Sequence, residues 1–102
     1  MPIAVAQNES HRSIRLEGWI TIECSGELKS LLVDWAATGK NLEVDLEGAE
    51  QIDLSILQLL WAAEREAAER GLGIISRPSQ AATAAARDVG FDRIPGAGAP
   101  GE

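Results

Sequence analysis

This chain of 102 residues is short of several things, and each shortage narrows what it can be. It has one cysteine, Cys24, so no intrachain disulfide can form and a reducing compartment is the natural setting. Cys24 has no Cys or His partner at ligand spacing, so a buried or half-buried thiol is expected, not a metal site. His11 is the single histidine; it sits beside Arg12 in a polar stretch and reads as a solvated turn residue. Basic residues are scarce, with 9 Lys and Arg against 16 Asp and Glu, for a net charge of −7. Nucleic acid is excluded as an expected partner, because phosphate recognition needs clustered cations. No apolar run approaches the roughly 18 residues that span a bilayer, so no membrane insertion is expected. Residues 1–6 lack the basic region of a signal peptide, which points to a cytoplasmic protein. No internal repeat is present.

What is there is a globular composition: 45% apolar and 25% charged. The length suits one domain, expected over residues 1–95. Residues 96–102, rich in Gly, Ala and Pro, have no periodicity and are expected to be a disordered tail.

Residues 3–6 and 13–18 read as strands, the second alternating apolar and polar, and Asn8, Glu9 and Ser10 supply a turn between them. An antiparallel hairpin follows. Leu28, Leu31, Leu32 and Trp35 recur at helical spacing, and Gly39 is placed to end that helix. Its start is open between Thr21 and Ser25 as caps. Residues 42–46 form a third strand. Asp45 within it reads as an outward or loop-bonding carboxylate rather than a catalytic one. A second helix spans about residues 54–70. Ile56, Leu59, Leu60, Ala63 and Ala67 form its core face, Leu57 and Trp61 a neighbouring stripe, and Gly71 its left-handed stop. Residues 73–76 form a short strand, Ser79 caps an alanine-rich helix over residues 80–89, and Gly90-Phe91 ends it. Trp19 and Trp35 are expected at the core and its edge. The order β-β-α-β-α-β-α implies an α/β domain whose mixed sheet is covered by helices.

The strongest local feature is Ser55, where a strand passes through Gly48, Ile52 and Asp53 into a helix. Helix N-termini present unpaired N–H groups and a positive dipole end, so a phosphate there is stabilised. No nucleophile–base pair, paired buried carboxylates or dinucleotide fingerprint accompanies it, so no enzyme activity and no cofactor are expected.

Val44-Asp45-Leu46, Gly48, Ile52-Asp53, Ser55, Leu59-Leu60, Arg70-Gly71, Pro78-Ser79 and Gly90-Phe91 occur in the order found in the STAS domain. The chain resembles that family over about residues 13–94. The family includes bacterial anti-sigma-factor antagonists, the cytoplasmic tails of sulfate-type transporters and small stand-alone proteins. The resemblance implies one STAS-like domain with helices packed mainly on one side of the sheet. It implies a non-catalytic module that resembles an anti-sigma-factor antagonist. Ser55 matches the position phosphorylated by a kinase of the histidine-kinase-like ATPase fold, and Asp53 the acid before it. Leu54 stands where the family has a first hydroxyl, and Ile56 where it has glycine. The alternative implied is a STAS subunit of a lipid-asymmetry ABC transporter, or a chemotaxis-linked relative, that binds an ATPase or signalling protein without phosphorylation. Ser55 is thus either a switch or a first-turn residue satisfying an N–H, with Asp53 as N-cap. In each case Gln51, Asp53, Leu54, Ser55, Leu57, Gln58 and Trp61 are the expected partner-binding residues. Leu57 and Trp61 are either an exposed docking stripe, which would also favour a homodimer, or a stripe packed against a neighbouring helix.

Overall fold

A computed structural model describes residues 3–7 and 11–96. The expected turn at residues 8–10 lies outside the described residues, as does the expected tail of residues 96–102 apart from Gly96. Four strands form the main sheet: β1 (Ile3–Gln7), β2 (His11–Leu16), β4 (Asn41–Leu46) and β6 (Ile74–Pro78), in the order β1-β2-β4-β6. The pair β1–β2 is antiparallel, while β2–β4 and β4–β6 are parallel. Parallel neighbours need long crossovers. Here α1 (Ser25–Thr38) and α2 (Leu54–Arg70) provide them, and α3 (Gln80–Asp88) follows β6. The sheet is mixed, as the sequence implies.

Alternation along the strands decides which sheet face is covered. Ile14 and Leu16 of β2, and Leu42, Val44 and Leu46 of β4, point into the core. The intervening Arg15, Glu43 and Asp45 point to the open face, since successive side chains take opposite sides. That face is laced by polar pairs: Ser13 Oγ donates to Glu43 Oε1 (3.2 Å), and Arg15 Nε lies 3.4 Å from Asp45 Oδ2. Asp45 also accepts from the Glu47 N–H at 3.0 Å, which is the loop-bonding role its sequence context suggests. The helices therefore pack on the other, apolar side.

Two further strands depart from the sequence reading. Residues 13–18 are not one strand: β2 stops at Leu16, and β3 (Gly18–Ile20) starts a separate parallel pair with β5 (Ala49–Ile52). Gly18 adopts φ +74°, a left-handed conformation that costs a side-chain-bearing residue, and its N–H donates to the Gly48 carbonyl at 2.8 Å. The new pair thus starts where the Gly18 N–H meets the carbonyl of Gly48, in the turn before β5. Beyond it the two strands form a ribbon that carries the start of α2. His11 opens β2 instead of lying in the turn, since strand pairing continues to Arg12 opposite Gln7 on one side and to Asn41 opposite His11 on the other.

The start of α1 also differs. A 3₁₀ turn, Ile22–Cys24, runs directly into the helix, and neither Thr21 nor Ser25 supplies a side-chain cap to it. Ser25 Oγ instead donates back to the Ile22 carbonyl at 2.7 Å. The preceding turn occupies the position that a cap would otherwise hold. The helix stops agree with the sequence. Gly71 sits at φ +70°, Leu72 N–H donates to Ala67 and Gly71 N–H to Ala68, which is a Schellman motif. Phe91 and Gly90 repeat it on Ala86 and Arg87. Ser79 Oγ accepts from Ala82 N–H (3.0 Å) and donates to the Ala49 carbonyl (2.8 Å), so one hydroxyl both caps α3 and ties it to β5.

Helix α2 is covered on more than one side. Ile56, Leu60, Ala63 and Ala67 are buried as expected, while Leu59 is half-buried towards α1. Leu57 takes the packed reading of its stripe: it is fully buried in the core, which corrects its place among the expected partner-binding residues. Residues 91–96 pack along that stripe. Phe91 meets Trp61 with ring centroids 5.5 Å apart, and the Arg93 guanidinium lies 4.7 Å from the Trp61 ring centroid. Arg93 also pairs in two-pronged fashion with Glu64 (2.8 and 3.2 Å), whose carboxylate accepts from Gly96 N–H (3.1 Å). Gly96 in turn accepts from Ser76 N–H, so residue 96 is buried and bonded at the β6 edge.

Candidate functional site

The site is assembled where the β3–β5 ribbon hands over to α2. Ile52 is buried, Asp53 is extended at φ −79° and ψ 156°, and Leu54 is the first helical residue. Asp53 thus occupies the N-cap position, but its carboxylate makes no cap bond to its own helix. Its Oδ2 accepts from the Ile22 N–H at 2.9 Å, and its own N–H donates to the Ile20 carbonyl at 3.0 Å. Asp53 therefore clamps the start of α2 to the start of the 3₁₀ turn, across 31 positions of sequence. Its main-chain carbonyl accepts from Ile56 and Leu57, which starts the helix without the side chain.

This clamp carries a prediction. Asp53→Ala removes a charge-assisted bond that is partly exposed, so a loss of about 1 kcal/mol is expected, below the usual 1.5–3 for charged hydrogen bonds. Asp53→Asn, which keeps an acceptor oxygen, should retain most of it. Urea unfolding of the three proteins measures this. Equal stability of Asp53→Ala and the parent would show that the clamp contributes nothing.

Ser55 lies in the first turn, half-buried as a residue, with its Oγ buried and without a hydrogen-bond partner among the described residues. The expectation that its hydroxyl satisfies an N–H is therefore not met. Gln51, Leu54 and Gln58 are exposed around the same turn, Leu54 at 44%. Of the expected partner-binding residues, the structure gathers Gln51, Asp53, Leu54, Ser55 and Gln58 at this end. Leu57 points inwards beneath them. Trp61 is half-buried one turn further on, against Phe91 and Arg93.

Sequence reasoning missed two neighbours. Trp19, placed in the core or its edge, is 65% exposed, and Ile22 is 64% exposed. Strand alternation was the available signal: with Ile20 inside, Trp19 must face out. Trp35, by contrast, is fully buried and Cys24 half-buried, as expected. Among the described residues, no cluster of three His, Cys, Asp or Glu could hold a metal, and no helix is long and apolar enough to cross a membrane.

No curated protein matches the chain at a significant level. Solved structures do. The anti-sigma factor antagonist SpoIIAA in its unphosphorylated form aligns with a TM-score of 0.72 at 17% identity, covering 86% of this chain and 80% of its own. A Thermotoga maritima protein assigned as an anti-sigma factor antagonist gives 0.72 at 13% identity, over 85% and 77%. A structure described as Mglu gives 0.65 at 16% identity, over 76% of this chain but 19% of that one. At such identities the likeness is one of fold. The family model described as "Mlab, STAS domain" matches residues 3–96, and with the ordered motifs from Val44 to Phe91 on the matching architecture, the chain belongs to the STAS domain family.

Proposed function

We propose that this chain is a non-catalytic regulatory protein-binding module of the cytoplasm, and that its partner docks where β5 meets α2. The partner proposed is a protein of the ATPase fold. The anti-sigma kinases of the antagonists it resembles, and the ATPase of a lipid-asymmetry transporter, are the two forms of that partner. The observation that carries this reading is Leu54: an apolar side chain held exposed at the first residue of a helix whose start Asp53 clamps in place. Rigid presentation lowers the entropy lost on binding.

The buried Ser55 Oγ favours binding without phosphorylation, because a kinase must bring that oxygen into contact with a phosphorus atom. The positive end of α2 supports the switch as a second reading, since a phosphate there would be stabilised and would add about −1.5 to −2 charges beside Asp53. Incubation with an anti-sigma kinase and ATP, followed by peptide mass mapping, separates the two. The expected outcome is no phosphopeptide containing Ser55. Ser55→Ala should bind as the parent does and be no less stable, because it removes a buried hydroxyl lacking a partner. Stoichiometric modification of Ser55 with loss of binding would establish the switch instead.

A further inference from the structure

We propose that the docking surface extends onto the β3 arm, with Trp19 and Ile22 as anchors beside Leu54, and that its occupant is a protein segment presenting apolar side chains flanked by Lys or Arg. The proposal rests on the reading of this end as a binding face and adds the chemistry of what binds there.

Trp19 and Ile22 are the two most exposed large apolar side chains among the described residues. They come from a different part of the chain than Leu54, yet the fold brings all three to one place. Trp19 stands opposite Gln51 in the β3–β5 register, the Ile22 N–H is bonded to Asp53, and Leu54 follows Asp53 directly. Exposed apolar residues on neighbouring stretches of backbone mark contact surfaces more often than scattered ones do, and tryptophan is enriched among residues that dominate binding energy.

Charge selects the occupant. Glu23, Glu27, Glu47, Glu50 and Asp53 flank the cluster in sequence, Glu17 beside them is paired with Arg15 at 3.5 Å, and positions 16–28 and 41–64 contain no Lys, Arg or His. A second copy would set carboxylates against carboxylates, and an anionic membrane would be repelled in the same way. A cationic rim on the partner would be attracted and steered.

The test is an NMR titration of the isotope-labelled full chain with a defined probe: an amphipathic peptide carrying a leucine stripe flanked by lysines, and its twin with glutamate for lysine. The lysine peptide should shift the Trp19 indole and the Ile22 and Leu54 amides, and the glutamate twin should not. Trp19→Ala should weaken binding at least tenfold, as loss of an anchor does. Raising salt from about 50 to about 300 mM should weaken it severalfold through screening. Shifts scattered over other acidic surfaces, equal binding of both peptides, no shift at all, or unchanged affinity in Trp19→Ala would each overturn the proposal. So would a dimer in sedimentation velocity that Trp19→Ala abolishes, since it would give the surface to a second copy. Leu54→Ala separates this proposal from the reading it rests on. If Leu54→Ala weakens binding while Trp19→Ala and Ile22→Ala do not, the binding face stands and its extension fails. If none of the three matters, both fail. Circular dichroism of each variant confirms that the fold is retained.

Discussion

Trp35→Ala is expected to cost about 3–5 kcal/mol of stability, the range for removing a large aromatic from a packed core. Trp35 is fully buried on α1, and its indole Nε1–H donates to the Lys40 carbonyl at 2.7 Å. The helix end is built around it. Thr38 Oγ1 donates to the Trp35 carbonyl, and Lys40 N–H donates to Thr38 Oγ1. The substitution therefore opens a cavity and also strips a donor from the α1–β4 connection. Domains of this size are stable by about 5–15 kcal/mol, so this one change removes a large share. The midpoint of thermal unfolding should fall by roughly 12–40 °C, at about 4–8 °C per kcal/mol. Val33→Ala on the same helix, at a position 61% exposed, should stay within about 0.5 kcal/mol. Chemical denaturation followed at 222 nm measures both. A Trp35→Ala protein as stable as Val33→Ala would mean that Trp35 is not enclosed.

Leu57→Ala should cost about 2–5 kcal/mol, the range for leucine truncation in a core. Leu54→Ala, three residues earlier and exposed, should change stability by no more than about 0.5 kcal/mol. Their effects on partner binding should run the other way: Leu54→Ala weakens it, while Leu57→Ala, below its unfolding temperature, leaves it near the parent value. Denaturation and titration on the same samples give both numbers. The crossing of the two effects is what distinguishes an inward from an outward leucine. Similar stability losses for the two would show that the inner and outer sides of the first turn of α2 are misassigned.

Much of the fold is legible in the residues because its signals are local. The bounds of α2 follow from an apolar period of 3.6 that begins after Asp53 and stops at Arg70-Gly71, and the helix runs over Leu54–Arg70. Ser79 as a cap and Gly90-Phe91 as a stop depend on residues within five positions of each other. Where β2 ends is harder to read. Leu16, Glu17 and Gly18 continue an alternation that looks like one strand, and the bend becomes visible only when the Gly18 N–H meets the Gly48 carbonyl in the turn between β4 and β5.

The candidate site divides along the same line. Its position at the start of α2 is set by sequence, because a strand, a glycine turn, Ile-Asp and a hydroxyl before an amphipathic helix specify that end of the element. Which side chains face outward there is not. Leu57 and Trp61 make a stripe as apolar as any docking face, yet Leu57 lies in the core, and residues 91–96 return to Trp61 and Glu64 through Phe91 and Arg93. Asp53 is at a cap position by sequence and spends its carboxylate on Ile22 instead. Trp19 has the size of a core residue, yet the β3–β5 ribbon turns it to the outside. Local propensity and periodicity marked the three helices and the strands of the main sheet in their order, and the ordered motifs carried the resemblance to the family. Burial, and with it which side chains the candidate site presents outward, was decided by segments that meet only in the folded chain, because a residue's exposure depends on what lies across from it and not on its neighbours in sequence.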